Sequence, residues 1–406
     1  MNDRHPARRS QEEALAHARS ALPVLGASTR SQVKPFLVMD MLRAANELEQ
    51  TGTRVVHMEA GQPSGPAPRR AIEAAQALLD AGPIGYTEAT GIPPLRERIA
   101  RYYRERHGVE VSPERVIVTT GSSGAFILSF LAAFEIGARV ALAVPGYPAY
   151  RNILASLGID VVDIRTGPEN RWTPTADDIA ALARADGLNG VLVASPANPT
   201  GTMVAPKALA ELVSATADHN AWFISDEIYH GLTYGMPEAT ALAYDDNAII
   251  INSFSKYYCM TGWRIGWMVV PECLVRTVEC LAQNLFISPP ALSQVAALAA
   301  FDTTDELEAR RQRYAENRAF LLEALPRLGF TEFTPVDGAF YIYTNVSRFS
   351  NDSLSFARSM LDEIGVATTP GADFDAADGH RWLRMSFAGS LDDMHEAVRR
   401  LETWLG

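Results

Sequence analysis

The chain has 406 residues, of which 47% are hydrophobic and 21% charged, and this composition is that of a globular protein rather than a disordered one. Its formal net charge of -12 at pH 7 argues against nucleic acid or an anionic membrane as the main partner, because both need a basic surface. No apolar run is long enough to span a bilayer, and no apolar segment follows the N-terminal arginines, so we predict no membrane span and no secretory signal. Three cysteines without a CxxC spacing favour reduced thiols and a cytoplasmic location over disulfides or zinc.

From about residue 115 onward, short β-rich runs alternate with helical stretches. This alternation predicts βαβ units and a mostly parallel sheet with helices on both faces. Runs 191–193 and 249–251 are apolar throughout, as expected for strands that are buried on both sides. The predicted strands are 115–119, 139–144, 190–194, 221–225, 248–252, 339–343 and 381–386, and the predicted helices are 125–134, a stretch from 150, 207–217, 304–325 and 391–404.

The pattern changes after about residue 301, where a long helix precedes separate strands and a closing helix. The sequence therefore predicts an α/β protein with a large domain, built on a mostly parallel mixed sheet sandwiched by helices, and a smaller α+β domain. We expect an N-terminal arm (residues 1–30), a small domain (31–60 and 301–406) and a large ligand-binding domain (61–300). Ligands of open α/β sheets bind beyond the carboxyl ends of the strands, so the polar residues that follow strands are the candidate site.

A Gly/Ser turn joins the first of these strands to an apolar helix. Gly121, Ser122 and Ser123 lie in this turn. Free backbone N–H groups and the helix dipole make such a position favourable for a phosphate, although an ordinary capped turn would have the same pattern. It is not a Walker loop, because no Gly-Lys-Ser/Thr follows.

Two further strands end in polar residues. The turn after strand 190–194 holds Asn198 between Pro196 and Pro199, which fix its shape and are candidates for cis peptide bonds. Strand 221–225 leads into Asp226, a carboxylate that needs a cationic or protonated partner if it is buried.

A metal site is the competing interpretation of the residues around Asp226. It would use Asp226, Glu227 and His230. No other part of the sequence resembles a His/carboxylate ligand set, so we predict no metal.

The strand at 248–252 is followed by Ser253, Ser255 and Lys256, and Arg264 comes eight residues after the lysine. Lysine is scarce in this chain, where only three of the 36 basic residues are lysine. A lysine near a buried strand end can be neutral and nucleophilic, and hydroxyls with an arginine suit a phosphate. The alternative is a solvated surface lysine.

These four segments together require one ligand with a phosphate, a group that pairs with a carboxylate, an oxygen for Asn198 and Tyr229, and an aldehyde for Lys256. Pyridoxal 5′-phosphate has all four, and its protonated ring nitrogen pairs with an Asp.

On these motifs the chain resembles the class I/II aminotransferases of PLP fold type I, similar to aspartate aminotransferase, from about Ser28 onward. The matching segments are 60–63 (Ala-Gly-Gln-Pro), Tyr86 with Gly91, 120–122, 145–147, 198–201, 226–229, 253–256 with Arg264, 338–341 and 384–387. Each segment alone is a weak indication of the family, but their order and spacing together are specific to it. Cys259 departs from the small or aliphatic residue that the family usually has there, and no role depends on it.

The resemblance implies a role for each matching residue. Lys256 would be the Schiff-base lysine and proton carrier, Asp226 the partner of the ring nitrogen, and Tyr147 the aromatic ring that stacks on the cofactor. The remaining implied roles are hydrogen bonds to the ring hydroxyl from Asn198 and Tyr229, phosphate binding by Gly121, Ser122, Ser123, Ser253, Ser255 and Arg264, phosphate contact from the other subunit by Tyr86, and substrate α-carboxylate binding by Arg384 with Gly61 and Asn198.

The resemblance further implies a ping-pong transaminase that acts on an amino acid and a 2-oxo acid, and a homodimer with composite sites. A β-elimination lyase of the cysteine–sulfur type uses the same groups and stays open as an alternative. A non-catalytic PLP sensor is a further alternative, but the N-terminal arm is too short for a DNA-binding head. The amino donor cannot be predicted from these motifs.

Overall fold

The computed structural model describes residues 26–406. The predicted arm of residues 1–30 therefore lies outside the described residues except for its last five. The helices are α1 (Leu37–Gln50), α2 (Arg69–Asp80), α3 (Pro93–His107), α4 (Gly121–Ala133), α5 (Pro148–Ser156), α6 (Ala176–Asp186), α7 (Pro206–Asp218), α8 (Glu272–Leu285), α9 (Ala291–Ala300), α10 (Thr304–Arg327), α11 (Ser353–Ile364) and α12 (Leu391–Leu405). The strands are β1 (Val56–His57), β2 (Val116–Thr119), β3 (Arg139–Val144), β4 (Asp160–Arg165), β5 (Gly190–Ala194), β6 (Trp222–Asp226), β7 (Ile249–Ser253), β8 (Gly266–Val269), β9 (Tyr341–Asn345), β10 (Val366–Ala367), β11 (Thr369–Pro370) and β12 (Trp382–Ser386).

Local sequence signals set several helix ends. Helix α3 begins with prolines at its first positions, where no N–H is needed, and ends at Gly108 in the left-handed conformation. Helix α11 begins where the Asp352 carboxylate accepts hydrogen bonds from two backbone N–H groups, and it ends at the left-handed Gly365. Helix α4 begins at Gly121, four residues before the predicted start, because the Gly/Ser turn itself forms the first helical turn.

The central sheet has seven strands in the order β2-β8-β7-β6-β5-β3-β4. Its strands run parallel except β8, which is antiparallel to both β2 and β7. The strand alternation did not predict β4 or β8. Strand β4 is a half-exposed edge strand, and β8 has only four residues.

Both faces of this sheet are buried, as the apolar strands predicted. Val191 and Val193 pack into one hydrophobic cluster, whereas Leu192 packs into another on the opposite face. Successive side chains of a strand point to opposite faces, so helices must cover both. The carboxyl ends of β5, β6 and β7 consequently meet at one edge.

The antiparallel β8 has a consequence for the site. Gly266, its first residue, pairs with Thr119 at the end of β2 and with Ser253 at the end of β7. The segment that precedes β8, with Arg264, therefore reaches the same edge as the residues that follow the parallel strands.

A second layer contains an antiparallel sheet, β11-β12-β9, and the short parallel pair β1-β10. Its hydrophobic cluster includes Met41 from α1 and Leu401 from α12. None of the helices in residues 26–406 is both long and apolar enough to cross a membrane. The three cysteines are all free, and the peptide bonds before Pro196 and Pro199 are cis, as the sequence indicated.

Candidate active site

A cavity of about 340 Å³ lies at the carboxyl ends of β5, β6 and β7. This is the edge at which ligands of open α/β sheets bind. The cavity is lined by most of the predicted site residues: Gly61, Ser122, Ser123, Tyr147, Asn198, Asp226, Tyr229, Ser255, Lys256, Arg264 and Arg384. Three predicted residues, Gly121, Ser253 and Tyr86, do not line it.

Asp226, the last residue of β6, is a buried carboxylate in the cavity wall. It accepts hydrogen bonds from the Tyr150 hydroxyl and, at 3.1 Å, from the Ile228 backbone N–H. Burial raises the pKa of Asp226 to about 6, although the Tyr150 hydrogen bond acts in the opposite direction. The sequence did not identify Tyr150, which lies one helical turn after Tyr147 on α5. The spacing from Tyr147 was the only sequence signal for a role of Tyr150 in the site, and the same spacing is equally typical of a core residue.

Lys256 follows β7, and its Nζ donates a hydrogen bond to the backbone oxygen of Gly61. Burial lowers the pKa of Lys256 to about 8, and the positive charges of Arg384 and Arg264 lower it further, against the effect of Asp226. A lysine with this pKa is partly neutral at physiological pH, which is the form that attacks a carbonyl.

An anion site lies at the N-terminus of α4. No side chain caps this helix at Thr120, so Ser122 and Ser123 present first-turn N–H groups at the cavity. Gly121 has a φ of 73°, and a Cβ there would lie 2.5 Å from Nη2 of Arg264. Only glycine therefore lets the arginine approach the helix N-terminus.

Ser255 completes this end of the cavity. Its Oγ lies 2.9 Å from the Oγ of Ser253, which donates to the backbone oxygen of Ile265 at 3.1 Å. Ser253 thus lies behind Ser255 and holds it in place.

Arg384 on β12 is 3% exposed and reaches the cavity from the second layer. Its guanidinium donates to Asn198 Oδ1 at 2.8 Å, to Thr369 Oγ1 at 3.1 Å and to the backbone oxygen of Glu59. Its Nε is buried without a hydrogen-bond partner, and no carboxylate of residues 26–406 forms an ion pair with it. A buried arginine without a counter-charge is a ready site for an anionic ligand.

Aromatic side chains form the rest of the cavity wall. The Tyr229 hydroxyl lies 2.7 Å from the hydroxyl of Tyr341, which the sequence placed in a motif without giving it a role. Burial raises the pKa of Tyr229 well above its usual range, so its hydroxyl stays protonated. Tyr147 lines the cavity and stacks on Phe36 at a centroid distance of 5.9 Å. Phe340 is a core residue with its ring edge against Tyr229.

Comparison with known proteins decides the family. A family model described as "Aminotransferase class I and II" matches residues 53–401. The chain belongs to the class I and II aminotransferases. It is 50% identical over 380 residues to a valine–pyruvate aminotransferase of Mycobacterium tuberculosis, which covers 93% of this chain and 97% of that protein.

Solved structures give the same result for the fold. The crystal structure of an aminotransferase from Mycobacterium tuberculosis matches with a TM-score of 0.92 at 49% identity, over 94% of this chain and 99% of that chain. Aspartate aminotransferase from Thermus thermophilus with maleate matches with a TM-score of 0.86 at 32% identity, over 93% and 99%.

These matches confirm the predicted family, the α/β fold and the enzyme class. This aminotransferase depends on pyridoxal phosphate and moves an amino group between an amino acid and a 2-oxo acid. The comparisons do not favour a β-elimination lyase or a PLP sensor. The cavity fits the cofactor chemically, because an uncapped helix N-terminus with Arg264, a buried carboxylate and a lysine of lowered pKa converge in it.

Proposed function

We propose that this aminotransferase uses valine or a similarly small, branched apolar amino acid as donor and pyruvate as acceptor. The 50% identity to a valine–pyruvate aminotransferase over nearly the whole chain supports this choice. The observation in the structure that carries it is the apolar cavity wall formed by Val38, Met39 and Leu42 of α1.

The charges in the cavity agree with an apolar substrate side chain. Among the described residues, the cations that line it are Lys256, Arg264 and Arg384. If these bind the cofactor and one carboxylate, no further cation among residues 26–406 lines the cavity to face a second carboxylate. An acidic side chain would then lose its water against an apolar wall, which costs several kcal/mol without a partner.

Steady-state kinetics with a panel of donors and pyruvate test the proposal. We expect kcat/KM for valine to exceed that for aspartate by at least about 100-fold, the discrimination expected from an unpaired carboxylate. Leu42→Ala should lower kcat/KM for valine more than for alanine, because it shortens the apolar wall. Aspartate as the better donor would contradict the proposal.

We propose the following roles for the cavity residues. Bound pyridoxal phosphate supplies a ring that stabilises the charge left when the substrate Cα loses a proton. Lys256 Nζ, with its pKa of about 8, would take that proton and return it, and the Asp226 carboxylate would stabilise a positive charge on the ring nitrogen. Arg384 binds the substrate α-carboxylate, aided by Asn198 and the backbone at Gly61.

The remaining roles concern positioning of the cofactor. Tyr147 would pack on the ring, and Asn198 and Tyr229 would hydrogen-bond its hydroxyl. Phosphate binding falls to Ser122, Ser123, Ser255 and Arg264, with Gly121 and Ser253 supporting them from behind the cavity wall.

We also propose that the enzyme is a homodimer with composite sites. Tyr86 is 84% exposed, and its segment contacts the loop after α8 through a 3.4 Å hydrogen bond from the Thr87 N–H to Ser288 Oγ. Ile84 and Ile287 are also exposed there, at 42% and 53%. Exposed apolar residues on neighbouring segments are typical of an interface, and Tyr86 would contact the cofactor phosphate of the other subunit.

A mixed dimer tests the composite site. A Lys256→Ala subunit is paired with a Tyr86→Ala subunit, once Tyr86→Ala alone has been shown to be strongly impaired. If Tyr86 acts across the interface, both defects fall in one site and the other site is intact, so activity reappears. A hybrid no better than its parents, or a fully active monomer in sedimentation, would contradict the proposal.

We further propose the predicted domain division, with residues 61–300 as the large domain and 31–60 with 301–406 as the small one, and a cytoplasmic location. Parallel pairing of β1 with β10, which joins Val56 to Val366, supports the shared small domain. The three free thiols are consistent with a reducing compartment.

A further inference from the structure

A second cluster of chemically active side chains lies outside the catalytic cavity. His107 is the last residue of α3, and His230 and Glu238 follow β6. One ligand atom from each of the three lies within 4.8 Å of the other two. None of them lines the catalytic cavity, so the proposed transaminase roles do not use them.

Several polar atoms in this cluster are buried without a partner. His230 is 4% exposed, and its Nδ1 has no hydrogen bond within the described residues. The same holds for Nε2 of His107 and Oε2 of Glu227. Nδ1 of His230 and Oε2 of Glu227 face each other at 3.5 Å, which leaves Nε2 of His107 as the buried atom of the cluster that no described group faces. Buried polar atoms are nearly always paired, so this one indicates a partner beyond the described residues.

His230 has a buried carboxylate beside its Nδ1. Its Nδ1 lies 3.5 Å from Oε2 of Glu227, which leaves Nε2 as the ring nitrogen that can bind. A carboxylate behind an imidazole is the usual arrangement at metal sites, because it fixes the ring and makes it a stronger ligand.

Glu238 is held in place by two hydrogen bonds. Its Oε1 accepts from Arg106 Nε at 2.6 Å, and its Oε2 accepts from the Gly231 N–H at 2.8 Å. Each carboxylate oxygen has a second lone pair, so both bonds can persist while one oxygen binds a cation. Carboxylate ligands of metals are themselves commonly hydrogen-bonded.

We propose that His107, His230 and Glu238 bind a divalent transition-metal cation of the Zn²⁺ type, with Glu227 orienting His230. Two imidazoles and one carboxylate favour Zn²⁺ over Mg²⁺ or Ca²⁺, which prefer oxygen ligands. Tetrahedral Zn²⁺ with bonds of about 2.0–2.1 Å needs ligand atoms about 3.3 Å apart, so the ligand atoms, now within 4.8 Å of one another, would approach each other by up to about 1.5 Å.

The fold explains why such a site would matter. It would tie the end of α3 to the segment that connects Asp226 to Gly231, which also carries Tyr229. A cation there would fix this segment without contacting the substrate. Three protein ligands leave a fourth position, which a water would take.

The test uses the full-length holoenzyme after dialysis against a chelator. Titration calorimetry with Zn²⁺ should give about one tight site per chain. Co²⁺, used as a coloured probe, should produce ligand-field bands at longer wavelengths than the cofactor absorption. His107→Ala, His230→Gln and Glu238→Gln should each weaken Zn²⁺ binding by at least about 100-fold, and Glu227→Gln by about 10- to 100-fold.

His380→Ala is the matched control, because this exposed histidine lies away from the cluster and should leave Zn²⁺ affinity unchanged. Cofactor content and the visible PLP band report whether each variant has folded. If His230→Gln does not fold, His107→Ala, at the less buried end of the cluster, still carries the test. No tight Zn²⁺ site, or equal Zn²⁺ affinity in the control and the cluster variants, would overturn the proposal.

Discussion

Replacement of Arg384 by lysine separates substrate binding from cofactor binding. The guanidinium is buried, donates to Asn198 and Thr369, and has no ion-paired carboxylate among residues 26–406. A substrate carboxylate would accept charge-assisted hydrogen bonds from it, each worth about 1.5–3 kcal/mol. Lysine keeps the positive charge but lacks the planar set of N–H donors of a guanidinium, and it leaves Asn198 Oδ1 without its donor.

The expected loss is therefore about 2–4 kcal/mol of substrate binding, which is about 30- to 1,000-fold in kcat/KM. Because the carboxylate is bound throughout the reaction, most of this loss should appear in KM. The assay is steady-state kinetics with valine and pyruvate, together with titration of the apoenzyme with pyridoxal phosphate, whose affinity should change less than about threefold.

Arg310→Lys is the matched control. Arg310 is also buried, but it pairs with Glu306 and donates to the backbone oxygen of Pro66, away from the cavity. Its replacement tests whether a lysine in place of any buried arginine simply destabilises the protein. Equal losses of substrate and cofactor binding in Arg384→Lys, or kinetics like those of the control, would refute the role of Arg384.

Two further predictions concern the groups around the cofactor. With a pKa of about 8, Lys256 is neutral in about one molecule in ten at pH 7, against about one in 3,000 for an ordinary lysine. The rate at which apoenzyme takes up pyridoxal phosphate, measured by stopped flow, should therefore rise with pH and level off above about 8. A rise that continues to pH 10 would argue against Lys256. So would a cofactor adduct that borohydride reduction places on Lys34 or Lys207. Asp226→Asn keeps the shape of the side chain and removes its charge. We expect this variant to retain cofactor but to lose at least about 100-fold in single-turnover rate with valine, because the ring nitrogen loses its ionic partner. Near-normal turnover in Asp226→Asn would show that Asp226 does not face the ring.

The sequence predicted five of the seven central strands, in their order along the chain, and the polar residues that follow them. The alternation of apolar strand patterns with helical patterns indicated these strands, and both kinds of pattern depend on local periodicity. Strands 139–144 and 190–194 have the predicted bounds, and the bounds of the other predicted strands differ from the observed ones by one or two residues. The motifs at Asn198, Asp226 and Lys256 were readable because a parallel sheet brings the ends of its strands to one edge, whatever the strand order.

Contacts between residues that are distant in sequence could not be predicted in this way. Tyr150 bonds Asp226 across 76 positions, and Arg384 bonds Asn198 across 186. His107 meets His230 only because α3 ends beside the segment after β6, so the sequence predicted no metal set. Local periodicity determines which side chains stand at strand ends and helix ends. Only the packing of α3, α5 and β12 around the sheet decides which of those side chains touch, because burial and charge pairing depend on neighbours that the chain order does not specify.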